Sequence, residues 1–198
     1  MTAAIRVLGS ALLMFFALAA PAADEALWEQ LRAGGLVVLM RHTLTTSGVG
    51  DPSEFRLDDC ATQRNLSAEG REQARHIGAA LKARGVRIGQ VQTSAWCRAA
   101  ETASLAFGRA EVWAELNSTF HDNASKVPQT QAVRQRIAQF RGPDNLFLIG
   151  HGSNILALTG IHPSMGGMVV VAPDGANGFR VVGRLEPDAV LVSRPDER

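Results

Sequence analysis

Apolar and polar positions follow two different periods along this chain. Leu36-Val37-Val38-Leu39-Met40 is an unbroken apolar run that ends at Arg41-His42, and Leu146-Phe147-Leu148-Ile149 is a second that ends at Gly150-His151. Runs without polar alternation predict strands buried on both faces, as in a parallel sheet. Val86 to Thr93 reads as another strand and Glu111 to Leu116 as a shorter one. Met168 to Ala172 and Phe179 to Leu185 read as a hairpin across Pro173-Asp174-Gly175. Between them the period lengthens. Ala74, Ile77, Gly78 and Leu81 fall at helical spacing behind Ser67, an N-cap residue, and ahead of Gly85, a C-terminal stop. Helices are also predicted from Ala26 to Ala33, from Ser94 as cap to Phe107, from Gln129 to Phe140, and over a short apolar stretch from Ser153. The tail beyond the hairpin, rich in Pro, Asp and Arg, reads as frayed. Strands alternating with helices predict an α/β fold: a three-layer α/β/α sandwich around a mostly parallel central sheet.

The start of the chain departs from both patterns. Arg6 precedes an uncharged apolar run from Val7 to Ala20, and Ala20-Pro21-Ala22 offers small residues where a leader is cut. Residues 1–22 read as a secretory signal peptide, and residues 23–198 as one domain exported to the periplasm or secreted. The run is shorter than the ~20 residues that a membrane span needs, so no stable membrane insertion is expected after cleavage. Charge adds one exclusion. Twenty Lys+Arg against nineteen Asp+Glu give a formal net charge of +1, without the basic excess of a nucleic-acid binder, so no nucleic-acid partner is expected.

Candidate chemistry gathers at the ends of the predicted strands. Arg41-His42 ends the first, the segment Ser94 to Arg98 follows the second, and His151 ends the strand at Gly150. Open parallel sheets bind ligands outside the carboxyl ends of their strands, so these groups converge on one patch. Two arginines, two imidazoles and a helix N-terminus suit a phosphate dianion. No carboxylate cluster of metal-ligand kind accompanies them, and neither metal nor cofactor is expected.

Four segments carry a resemblance. Leu39-Met40-Arg41-His42-Thr43 is similar to the Leu-x-Arg-His-Gly signature of the histidine phosphatase superfamily, which includes the phosphoglycerate-mutase-like enzymes. Asn65-Leu66-Ser67-Ala68-Glu69-Gly70, the block from Ser94 through Arg98 and Thr102 to Ala103, and Ile149-Gly150-His151-Gly152 resemble that superfamily's other blocks, in its order. The resemblance implies a phosphoglycerate-mutase-like fold and a phosphoric monoester hydrolase acting on a small phosphorylated substrate, such as a phosphosugar, or on a phosphoprotein. His42 would be the nucleophile, forming a phosphohistidine that water hydrolyses. Arg41 and Arg98 would clamp the phosphoryl oxygens, with His151 as a further donor and Thr43 and Asn65 as further substrate contacts. Positioning and charge neutralisation supply most of the catalysis in phosphoryl transfer, so no metal is required. A mutase fits an exported protein poorly, because phosphoglycerate metabolism is cytosolic.

Two positions depart from the pattern. Thr43 stands where the superfamily has glycine, and Gly152 stands where its acid-phosphatase branch has an aspartate after the second histidine. The general acid is therefore open. Glu115 is the nearest match to the mutase-branch glutamate, Ser118 aligns with it equally, and His121 and Asp122 are the remaining alternatives. A non-catalytic phosphate- or phosphosugar-binding module that keeps the clamp without an acid is the rival reading. His76 reads as helix surface, His162-Pro163 as a turn, Trp28 and Trp113 as packing residues, and Trp96 as a wall of the pocket mouth. Cys60 and Cys97 each lie near a motif, and in an oxidising compartment they are candidates for a disulfide.

Overall fold

The computed structural model describes residues 20–120 and 123–191. Six strands form one sheet in the order β3-β2-β4-β1-β5-β6, with β1 at Val37–Arg41, β2 at Ile88–Thr93, β3 at Glu111–Val112, β4 at Asn145–Gly150, β5 at Met168–Pro173 and β6 at Phe179–Leu185. The strands from β3 to β1 run parallel, and β5 is antiparallel to both of its neighbours. The two long apolar runs are the two central strands, which is why neither needs a polar face.

Successive side chains of a strand point to opposite faces, so each strand feeds two cores. Val38, Met40, Phe147, Ile149, Met168 and Val170 pack against α1 (Ala20–Ala33), α2 (Ala68–Ala83), α3 (Cys97–Phe107) and Val190 of α6 (Pro187–Leu191). Val37, Leu39, Leu146, Leu148, Val169 and Val171 pack against α4 (Asn123–Ala138) and α5 (Gly152–Thr159). The three layers are those the periodicity predicts. No helix among the described residues is long and apolar enough to cross a membrane.

The differences are local and have physical causes. Helix α1 begins at Ala20 rather than Ala26, through an Ala-rich stretch of high helix propensity. Helix α4 begins at Asn123 and carries Pro128 as its sixth residue, which forgoes the one backbone bond that an N–H there would give to Ala124 O. The third strand is only Glu111–Val112, at the sheet's edge, and then tightens into a 3-10 turn over Ala114–Leu116. Ser94 is not the cap of α3: the helix starts two residues later behind Trp96, and Gln63 Oε1 accepts from the Cys97 N–H instead. The tail is not wholly frayed, since α6 buries Val190 against the core.

Three strand ends are level. Arg41 pairs with Gly150 and Thr93 with Ile149, while the His42 N–H donates to Gly150 O and the Ser94 N–H to Ile149 O. The long segment after β1 folds back over them. The Ser67 N–H donates to Leu44 O, the Thr46 N–H donates to Asn65 O, and a 3-10 turn spans Cys60–Thr62. Cys60 and Cys97 form a disulfide that ties this segment to the first residue of α3.

Helices α2 and α3 meet at Gly78, where a Cβ would overlap the backbone of Ala106. Backbone cannot swing aside as a side-chain tip can. Gly78→Ala should therefore destabilise the domain by ~1–3 kcal/mol despite the better helix propensity of alanine. Urea unfolding checks this, and an unchanged or raised midpoint would show that the two helices separate freely.

Candidate active site

The level strand ends place His42 and His151 side by side, with ring centroids 5.5 Å apart. Both rings are buried. They stand in the wall of a cavity of about 530 Å³ that Arg41, Arg98, Arg64 and Asp51 also line. Four of the predicted site residues, Arg41, His42, Arg98 and His151, are thus brought together.

The tautomer of His42 follows from its partner. Nδ1 lies 2.9 Å from Thr43 O, and a carbonyl can only accept, so Nδ1 carries the hydrogen and Nε2 keeps its lone pair. Burial is the main reason that its pKa is pushed down to about 3, and the charges of Arg98, Arg41 and Arg64 add to it against the raising effect of the Thr43 bond. His151 is likewise held well below the ordinary range, first by burial and then by His42 and the same arginines. Both imidazoles are neutral at pH 7. Ser94 Oγ lies 3.0 Å from His151 Nε2 and 3.1 Å from Asn117 Oδ1. That oxygen also accepts from the Ala95 N–H, so it takes the Ser94 hydroxyl proton and leaves Ser94 to accept from His151. The relay fixes the plane of the ring.

The arginines are anchored from behind. Arg41 donates through Nη1 to Pro163 O at 3.0 Å. Arg98 donates to Asp51 Oδ1 at 2.9 Å, with both side chains almost wholly buried at 4% and 6% exposure, and its guanidinium lies 4.4 Å from the centroid of the Trp96 ring. Burial lowers the Arg98 pKa while Asp51 raises it. Asp51 also accepts from the Arg64 backbone N–H, so one carboxylate holds the Arg98 side chain and the Arg64 main chain. The Nε atoms of Arg41, Arg64 and Arg98 are buried without a hydrogen-bond partner. The three arginines line one cavity, and guanidinium groups gathered in this way match an anion with several acceptor oxygens.

Other predicted residues stand elsewhere. The Thr43 hydroxyl lies 3.1 Å from that of Thr102, outside the cavity wall. Asn65 donates to Cys60 O and also lies outside the wall. Glu115, half-buried in the 3-10 turn, does not line the cavity, whereas Ser118 does. His121 and Asp122 lie outside the described residues. Trp96 is buried beneath Arg98 and not a wall of the mouth. Asp51, Arg64 and His162 line the cavity without having been expected there. The position of Arg64, directly before Asn65-Leu66-Ser67, was the one signal in the sequence that could have marked it. Among the described residues, no cluster of three or more His, Cys, Asp or Glu could hold a metal ion.

No family model matches the sequence, and no curated protein matches it. Solved structures do match in fold. The protein histidine phosphatase SixA in complex with tungstate is 18% identical, with a TM-score of 0.51 over 77% of this chain and 97% of its own. A mycobacterial glucosyl-3-phosphoglycerate phosphatase in complex with VO3 is 17% identical, with a TM-score of 0.55 over 75% of this chain and 97% of its own. A phosphoserine phosphatase mutant from Entamoeba histolytica, in complex with phosphoserine, is 13% identical, with a TM-score of 0.58 over 78% of this chain and 98% of its own. A mixed six-stranded sheet flanked by helices, with its cavity at the carboxyl ends of three parallel strands, gives this chain the α/β fold of the histidine phosphatases.

Proposed function

We propose that this protein is a phosphomonoesterase that works through a phosphohistidine on His42. One observation carries the reading: a buried, neutral imidazole whose free Nε2 is fixed by the Thr43 carbonyl and surrounded by guanidinium groups. A neutral imidazole with an available lone pair is a nucleophile, and phosphorus is the electrophile that three arginines would hold in front of it. Nε2 attacks in line, Arg41 and Arg98 take the charge that spreads over the phosphoryl oxygens, and water then displaces His42. Solved structures of like fold hold tungstate, VO3 and phosphoserine, which supports an oxyanion as the ligand. The substrate belongs to the same proposal: a phosphosugar or a phosphoprotein met outside the cytoplasm. The apolar leader supports export, as does a disulfide of the kind that persists in oxidising compartments.

A non-catalytic phosphate-binding module is the rival, because the one carboxylate among the described residues of the cavity wall, Asp51, is engaged by Arg98. Hydrolysis of 4-nitrophenyl phosphate, whose leaving group departs without a proton, separates the two. The wild-type protein should turn it over and, after rapid acid-free quenching, retain label on His42. His42→Ala should abolish turnover while inorganic phosphate still binds. Phosphate binding by a wild-type protein that hydrolyses nothing would establish the rival.

Arg98→Lys tests the clamp without leaving Asp51 unpaired. The ammonium keeps the charge but not the planar fork, so kcat/KM should fall by roughly 10²–10³-fold with the fold intact. Activity equal to wild type would mean that Arg98 acts only as a distant charge.

The depressed histidines also make stability depend on pH. An unfolded histidine takes a proton near pH 6.5, whereas folded His42 resists until about pH 3. The unfolded state binds more protons in between, so stability should fall as pH drops through that window, by about 1.4 kcal/mol per pH unit for each such histidine. Urea titrations at pH 7, 5.5 and 4 should show the loss, and His42→Asn should make it shallower. A flat profile would mean that the rings charge without cost.

A further inference from the structure

From the geometry we infer that His162 is the proton donor for the leaving group, in the place that a side chain at position 152 would otherwise fill; this rests on the phosphatase reading above. The attack by His42 expels an alkoxide unless something protonates it, and among the described residues the cavity wall offers few candidates. Asp51 is held on Arg98 at 2.9 Å, and His151 is bound through Nε2 to Ser94. His162 lines the same cavity, and none of its ring atoms has a described hydrogen bond.

Its position is built from both sides. A Cβ on Gly152 would stand 2.6 Å from His162 Nε2, 3.1 Å from Cε1 and 3.2 Å from Cδ2, so the ring tip occupies that volume. Gly152 does not have a left-handed backbone; what it provides is room for the imidazole. The loop that carries His162 is pinned to the phosphate clamp. Arg41 donates to Pro163 O through its side chain and to Gly167 O through its backbone, and the Gly166 N–H donates to His42 O. The proton donor therefore moves with the nucleophile's own strand. The result is an exposed imidazole in the cavity wall, with its ring tip beside Gly152, the residue that follows His151.

The step balances. As the bond from His42 Nε2 to phosphorus forms, the phosphorus–oxygen ester bond breaks with its electron pair on oxygen. His162, protonated, gives Nε2–H to that oxygen and the alcohol departs. The neutral ring then takes a proton from the water that attacks phosphorus, the electrons of the phosphorus–nitrogen bond return to His42, and inorganic phosphate and protonated His162 are regenerated.

The test compares leaving groups on the full chain. His162→Asn should slow an alkyl phosphate such as glycerol phosphate by roughly 10²–10³-fold and 4-nitrophenyl phosphate by less than about fivefold. Exogenous imidazole should restore part of the alkyl phosphate activity to His162→Ala. Gly152→Ala, which pushes the ring tip away, should reproduce the selective loss with the thermal midpoint kept within a few degrees. Equal losses on both substrates, no loss, or no rescue by imidazole would overturn the assignment of His162 while leaving the phosphatase reading intact. Absence of 4-nitrophenyl phosphate hydrolysis in the wild-type protein would overturn the phosphatase reading itself.

Discussion

Everything in the site hangs on the alignment of three parallel strands at their carboxyl ends. Arg41 stands opposite Gly150, and Thr93 stands opposite Ile149. Side chains alternate along a strand, so a slip of one residue would turn Arg41 toward the opposite layer and move the apolar residues of β1 out of their cores. Register is therefore protected by fully buried apolar residues, Val37 to Met40 and Leu146 to Ile149. The energy that holds the site together lies beneath it, in the hydrophobic packing of the two central strands.

On this platform the chemistry is a problem of unlike costs. Three guanidinium groups around one cavity repel each other, and two imidazoles are denied their charges by burial. Asp51 offsets part of the repulsion by orienting Arg98 and receiving the Arg64 N–H. A phosphate dianion, the ligand proposed above, would complete the compensation by its own charge.

Legibility in the sequence followed chain geometry. Arg41, His42 and His151 could be placed because each terminates or directly follows an apolar strand, and Arg98 because it lies in the first turn of its helix. Thr43, Asn65 and Glu115 could not, because their side chains answer to other partners or surroundings: Thr43 turns to Thr102, fifty-nine residues away, and Asn65 turns to Cys60. Asp51 and Arg64 lie in a segment with no period at all, and His162 lies in a turn whose course is set by Arg41. Loop direction is decided by tertiary hydrogen bonds, and no local pattern encodes it. The hairpin β5–β6 and the helix α2, in contrast, were readable because turn residues and caps act over a few positions.

The bridge between Cys60 and Cys97 has a thermodynamic side. It joins cysteines thirty-seven positions apart and closes a loop that contains Arg64, all of α2 and all of β2. Restricting an unfolded chain by a loop of that length contributes roughly 4 kcal/mol in the chain-entropy account. Net stabilities of domains are commonly only 5–15 kcal/mol, so the same amino-acid sequence is a markedly weaker fold with its thiols reduced. The redox state of the surroundings thus bears on how large a share of the protein is folded, and with it on how much of it holds the cavity at all.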